Sequence, residues 1–234
     1  MSRLELYNGV RTWLLVLVCA VPFFAVAQTH FVPHVWVGGR GGVTMAKQDI
    51  APSVPQKWNM GTTGAVTIRY AEERTFGLVA ELGWTQRGWQ EDFEEAPLSY
   101  SRTLTFITLP IMTQIIFGGN RMKCFVNLGP EFAYMLDESV SANFDYNNLG
   151  SVTQWPERDR QTEQLSMPIA NKFDYGITAG LGCEFYVQPR HPLTLEARYY
   201  FGLGNVFNAS KADTFSASRS TSIEICLGYN FLLK

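Results

Sequence analysis

Phe173-Asp174-Tyr175-Gly176-Ile177-Thr178-Ala179-Gly180-Leu181-Gly182-Cys183-Glu184-Phe185-Tyr186-Val187 alternates from end to end. Phe173, Tyr175, Ile177, Ala179, Leu181, Cys183, Phe185 and Val187 fall on one face. Asp174, Gly176, Thr178, Gly180, Gly182, Glu184 and Tyr186 fall on the other. A period of two belongs to a strand, because a helix gathers its apolar residues every third or fourth position. The next run repeats the pattern, with Leu193, Leu195, Ala197, Tyr199 and Phe201 against Thr194, Glu196, Arg198, Tyr200 and Gly202. The last sets Ile223, Ile225, Leu227, Tyr229 and Phe231 opposite Glu224, Cys226, Gly228 and Asn230. These runs predict strands over 172–187, 192–204 and 219–233.

Working back toward the N-terminus, weaker alternation predicts strands at 34–45, 60–70, 76–89, 102–117 and 123–136. All eight meet or exceed the ~9–11 residues a tilted strand needs to cross a bilayer. Ordinary soluble strands average about five or six residues. The connections alternate in length. Residues 71–75, 118–122 and 188–191 are tight turns, whereas 46–59, 90–101, 137–171 and 205–218 are longer. Outer-membrane barrels have this asymmetry, with short periplasmic turns and longer extracellular loops. The expected fold is all-β: an eight-stranded antiparallel up-and-down transmembrane β-barrel, with both chain ends in the periplasm.

The N-terminus reads as a targeting segment. Arg3 and Arg11 precede an apolar run from Trp13 to Val26, closed by Ala25-Val26-Ala27. That is a charged start, a short apolar stretch and a small-x-small cleavage site, so 1–27 is expected to be a cleaved signal peptide and 28–234 the barrel. Cleavage removes Arg3 and Arg11 from 19 basic residues, leaving 17, and Glu5 from 21 acidic residues, leaving 20, a net charge of −3. Such a balance gives no basic field, so no nucleic acid is expected as a partner. No later apolar run is long enough for a membrane helix. Cys124, Cys183 and Cys226 are too widely spaced for a disulfide framework. Cys124 and Cys183 do fall near the periplasmic ends of neighbouring strands, on one face; free thiols are the default there, and a cross-strand disulfide is the alternative.

The two faces differ in chemistry. One is apolar and aromatic. The other carries Arg40, Arg69, Glu81, Arg87, Glu131, Glu184, Glu196, Arg198 and Glu224, almost without Lys. In a membrane barrel the apolar face meets lipid and the charged face lines the lumen. Arg and Glu favour planar, two-pronged pairing in a confined space. An eight-stranded barrel has room inside only for side chains, so the nine are expected to neutralise one another as a structural plug. Gly38, Gly42, Gly176, Gly180, Gly182, Gly202 and Gly228 on the same face leave space for them. The alternatives are a soluble periplasmic barrel holding an apolar ligand among Ile177, Leu181, Leu195 and Ile225, or a narrow pore. Tyr70, Trp84, Trp89, Phe117, Phe132, Tyr134, Tyr199, Phe201, Tyr229 and Phe231 are the expected interfacial aromatics.

These motifs resemble the PorT-like small outer-membrane β-barrel proteins, the "porin family" barrels of Bacteroidota-type bacteria. Val37-Gly38-Gly39-Arg40-Gly41-Gly42-Val43-Thr44 is similar to their first strand, Phe76 to Trp89 to the third, and Thr108-Leu109-Pro110-Ile111-Met112 to the fourth. Asp174-Tyr175-Gly176 through Gly180-Leu181-Gly182-Cys183-Glu184-Phe185 is similar to the glycine-rich sixth. The chain departs at its end, where Phe231 is followed by Leu-Leu-Lys. The resemblance implies an outer-membrane location and an eight-stranded barrel. The family's namesake belongs to a protein-secretion system, a role that fold analogy does not transfer.

No catalytic, cofactor or metal site is expected, and the chain is not expected to be an enzyme. The histidines, His30, His34 and His191, all fall at the periplasmic end, away from the outer leaflet where a lipid hydrolase would work. Asp145-Tyr146-Asn147-Asn148-Leu149-Gly150 is not a calcium loop, since Leu149 and Pro156 stand where oxygen ligands are needed. The expected partners are outer-membrane lipid and a protein at loop 137–171. The plainer expectation for that loop is a solvated, partly mobile segment, with Arg158-Asp159-Arg160 as surface charge.

Overall fold

A computed structural model describes residues 33–233 apart from 72, 95, 153–154, 157–160, 189 and 210–213. The expectations for 1–27, for His30 and for 158–160 lie outside the described residues. The strands are β1 (His34–Ala51), β2 (Gln56–Lys57), β3 (Asn59–Ala71), β4 (Phe76–Glu91), β5 (Tyr100–Gly118), β6 (Met122–Ala142), β7 (Phe173–Gln188), β8 (His191–Gly202) and β9 (Ala217–Leu232). The two-residue β2 pairs with the outer end of β4. The other eight are the expected strands, each antiparallel to its sequence neighbours, with β9 paired to β1 and β4 to β5 so that the sheet returns on itself.

The register fixes the geometry. Cα partners lead from Val35 to Tyr70, Leu78, Thr113, Leu128, Ala179, Tyr199 and Ile223, and return to β1 at Met45, ten residues further along. With a rise of ~3.3 Å and strands about 4.7 Å apart, that stagger over eight strands gives a tilt of roughly 40° and a radius of roughly 8 Å. The interior is therefore one side chain deep from every wall.

The alternation sorts as the sequence predicts. On β7, Phe173, Ile177 and Leu181 face outward while Asp174, Thr178 and Glu184 are buried. Leu181 and Leu227 are 67% and 70% exposed, values expected of side chains whose solvent is hydrocarbon. Ile177, Leu181, Leu195 and Ile225 all point out, so they line no interior cavity of the kind the soluble alternative requires.

Two aromatic levels bound the apolar wall. Tyr70, Phe76, Phe117, Phe185, Tyr229 and Phe231 ring the end with the short turns. Trp84, Phe132, Tyr134, Phe173, Tyr175, Tyr199 and Phe201 ring the other. Phe132, Phe173 and Tyr175 stack successively at 6.5 and 6.2 Å. From Phe76 to Trp84 on β4 and from Phe185 to Phe173 on β7, the tilted strands rise roughly 20–30 Å, bracketing the ~25 Å apolar band of such barrels. Trp89 corrects the expectation for the girdle: it is fully buried inside, on the same parity as Arg87.

The strands also run further out than the alternation predicts, β1 to Ala51 and β6 to Ala142. Above the outer girdle the sense of the two faces reverses. On β5, Tyr100, Arg102, Leu104 and Phe106 point inward and Ser101, Thr103 and Thr105 point outward. Beyond the membrane the outer wall meets water, so the apolar residues change sides. A one-residue bulge at Leu136, opposite Thr105 and Phe106, lies at this level.

Candidate functional site

Two constellations lie inside the wall: a charged lumen at membrane height and an apolar cap above it. The nine charged residues expected in the lumen all point inward, from seven strands: β1, β3, β4, β6, β7, β8 and β9. Gly180 is what lets the tightest part close. A Cβ there would stand 2.6 Å from Glu196 Oε1 and 3.0 Å from Arg198 Cγ. Gly42 answers to the backbone instead, since its Cβ would lie 2.0 Å from the Ile225 carbonyl oxygen.

The centre is a chain of five groups. Arg198 donates to both Glu81 oxygens at 2.6 and 2.7 Å and to both Glu196 oxygens at 2.7 and 2.8 Å. Arg40 Nε donates to Glu81 Oε2 at 2.8 Å and its Nη1 to Glu224 Oε2 at 2.9 Å. Asn127 donates to Glu196 at 2.7 Å and Thr85 to Glu224 at 3.0 Å. Toward the short turns Arg69 pairs with Glu184, which also accepts the Tyr186 hydroxyl at 2.8 Å, and the Arg69 guanidinium lies over the Trp36 ring at 4.8 Å. Toward the cap Arg87 pairs with Glu131 and lies 3.7 Å over the Tyr200 ring.

Asp174, on the polar face of the 173–187 run but outside the expected nine, belongs to this upper group. It is buried 3.8 Å from Arg87 Nη1 and accepts the Tyr200 hydroxyl at 3.0 Å. The neutral partners Asn127, Thr85, Tyr186 and Tyr200 were equally invisible to a search for charge, although inward parity marks each of them. A cavity of about 40 Å³ remains between Arg40, Arg69, Glu81, Glu184, Glu196 and Arg198. That is room for a very few water molecules and no larger ligand. Among the described residues, no three His, Cys, Asp or Glu side chains are placed to hold a metal ion.

The cap closes the outer mouth. Ile50, Val54, Trp89, Phe93, Tyr100, Leu104, Phe106, Met135, Leu165, Val206, Phe207 and Phe215 form one buried apolar cluster drawn from all four long connections and the strand extensions below them. Phe144, Tyr146 and Trp155 pack on it, with Phe93 edge-on to Phe144 and Trp155 at 5.5 and 5.8 Å. Loop 137–171, expected to be solvated, therefore contributes six strand residues and a packed arm carrying the short helix α1 (Glu163–Ser166). Burying its aromatic residues outweighs solvating its carboxylates.

Arg102 ties that arm down. Its Nη1 donates to the carbonyls of Gln164 and Met167 at 3.2 and 2.7 Å, and its Nε to Glu138 at 2.7 Å. Gln164, fully buried, donates to Glu91, which also accepts the Trp89 indole N–H. None of Glu91, Arg102, Glu138 and Gln164 was singled out from sequence. The available signal was the parity switch on β4 and β5.

The profile of the outer membrane protein β-barrel domain matches residues 26–208, from before β1 through β8. No curated protein matches the chain. Among solved structures, Neisserial surface protein A is similar at 13% identity and a TM-score of 0.45, covering 84% of this chain and 96% of that one. The outer membrane protein OprG of Pseudomonas aeruginosa is similar at 12% identity and a TM-score of 0.48, covering 87% and 99%. The outer membrane enzyme PagL is similar at 14% identity and a TM-score of 0.37, covering 84% and 98%. With the greater part of its length matched, the chain belongs to the outer membrane protein β-barrel domain family and resides in the outer membrane.

Proposed function

We propose that this protein is a plugged outer-membrane scaffold that works through its outer cap, without enzymatic activity and without a conducting lumen. The observation that carries the reading is the set of lumen ion pairs, in which Arg40, Arg69, Arg87 and Arg198 each meet a glutamate from another strand. Such a lumen ties the wall together and supports a plug. The cap supports the second half of the reading, since ordered loops over a plugged barrel present a fixed surface to a partner. The absence of enzymatic activity rests on His34 and His191 lying at the short-turn end, far from any chemistry at the outer leaflet.

The purified protein reconstituted in planar bilayers is the test. No single-channel steps above the lipid baseline are expected. Steady, protein-dependent conductance would overturn the plug. An accessory role in protein secretion extends the reading and rests on the PorT-like motifs alone. Deleting the gene and comparing secreted protein tests it: reduced secretion, restored by the intact chain, is expected, and unchanged secretion removes that role while leaving the scaffold.

A further inference from the structure

Cys124 on β6 and Cys183 on β7 are direct Cα partners across the ladder. The type of pair follows from the hydrogen bonds at its two ends. Tyr186 N–H donates to the Arg121 carbonyl at 3.0 Å and Met135 N–H to the Lys172 carbonyl at 2.8 Å. Both bonds fall on the register that joins Lys123 to Glu184 and Cys124 to Cys183. Hydrogen-bonded pairs recur at every second residue of an antiparallel ladder. Stepping from Arg121–Tyr186, Lys123–Glu184 is hydrogen-bonded and Cys124–Cys183 is not. At such a pair the Cα atoms approach to about 4.5 Å and the side chains come closest. Disulfides need a Cα separation of about 4.4–6.8 Å.

Both thiols are free in this structure and partly exposed. They lie on the outer wall in a row with Phe117 and Leu195, one outward position from the turn that joins β5 to β6. Cys226 is separate, buried in the lumen with its sulfur 2.9 Å from Arg40 Nη1.

We propose that Cys124 and Cys183 are a cross-strand dithiol that is oxidised to a disulfide in the periplasm. The reaction is exchange with a periplasmic oxidant that itself carries a disulfide. The thiolate of one cysteine attacks that disulfide, forming a mixed disulfide and expelling one oxidant thiolate. The second cysteine, deprotonated, attacks the chain's sulfur in the mixed disulfide and expels the other. The chain gives up two electrons and two protons, and the oxidant leaves as a dithiol. The bond closes a ring that holds most of β6, the whole arm over the cap and most of β7, and it pins their base.

The test uses the intact protein recovered from outer membranes, with thiols trapped by an alkylating reagent during denaturation and no reductant present. Mass spectrometry is expected to show the Cys124 peptide joined to the Cys183 peptide, with Cys226 alone alkylated. Reduction before trapping is expected to free both. A Cys226→Ala chain keeps the link. Quantitative alkylation of Cys124 and Cys183 without reductant, or a link from either to Cys226, overturns the proposal.

Discussion

Arg198 holds one guanidinium between two carboxylates, with both forks used and the residue 4% exposed. Its value lies in that geometry. Arg198→Met leaves Glu196 with only the Asn127 amide and Glu81 with only Arg40, and breaking a buried pair from one side costs roughly 3–5 kcal/mol. The folded form on unboiled gels is therefore expected to give way at a lower temperature or urea concentration than in the parent chain. Arg198→Lys keeps the charge but offers three donors from a point, which cannot serve two planar partners at once, so its transition should fall between the two. Equal transitions for all three chains would show that the network contributes nothing to stability. The sequence exposed the charged members of the lumen because charge on the small-residue parity of a strand has no other easy home. It left Asp174, Asn127 and Tyr200 unmarked, because a polar side chain near a strand end is equally at home in water.

Along each strand, the side that is apolar reports the solvent outside. On β5, Ile107, Leu109 and Ile111 point out, and from the next outward position, two residues on, Thr105, Thr103 and Ser101 take the outer positions. The switch recurs on neighbouring strands, since Gln86 pairs with Thr105 and Thr105 with Asp137. It marks the outer edge of the membrane. Single cysteines at Thr103 and Leu109, in a chain otherwise free of cysteine, check it on whole cells. A membrane-impermeant maleimide is expected to label Thr103→Cys and to leave Leu109→Cys unlabelled until detergent is added. Labelling of both would move the membrane boundary. The same reversal explains why strand ends and Trp89 were misread. A search for one unbroken alternation stops where the alternation changes sides, so it truncated β1 and β6 and left the cap looking like loop. Within the cap, Arg102→Ala removes both carbonyl contacts to the arm. Limited proteolysis of intact cells should then cut within 143–172 faster, while the barrel keeps its compact migration on unboiled gels.

At the scale of the whole molecule, stability depends on closure. A membrane barrel has no water to satisfy an open strand edge, and each unpaired backbone group in hydrocarbon costs several kcal/mol. β9 supplies that closure, pairing with β1 from Trp36–Leu232 to Ala51–Ala217 and with β8 from Leu193 to Phe201. It also brings Glu224 to Arg40. Yet β9 lies beyond residue 208, where the family profile ends. A chain ending at residue 208 keeps every other strand and most of the cap, but it leaves β1 and β8 with bare edges at full membrane height. Their combined penalty exceeds the 5–15 kcal/mol by which proteins are typically stable. Folding into vesicles should therefore fail outright rather than weaken. The full chain is expected to give a heat-modifiable band and a protease-resistant core, and the shortened chain neither. If the shortened chain migrated compactly and resisted protease, a seven-stranded sheet would have to close by direct pairing of β8 with β1, and the register that sets the tilt and radius would no longer describe this barrel.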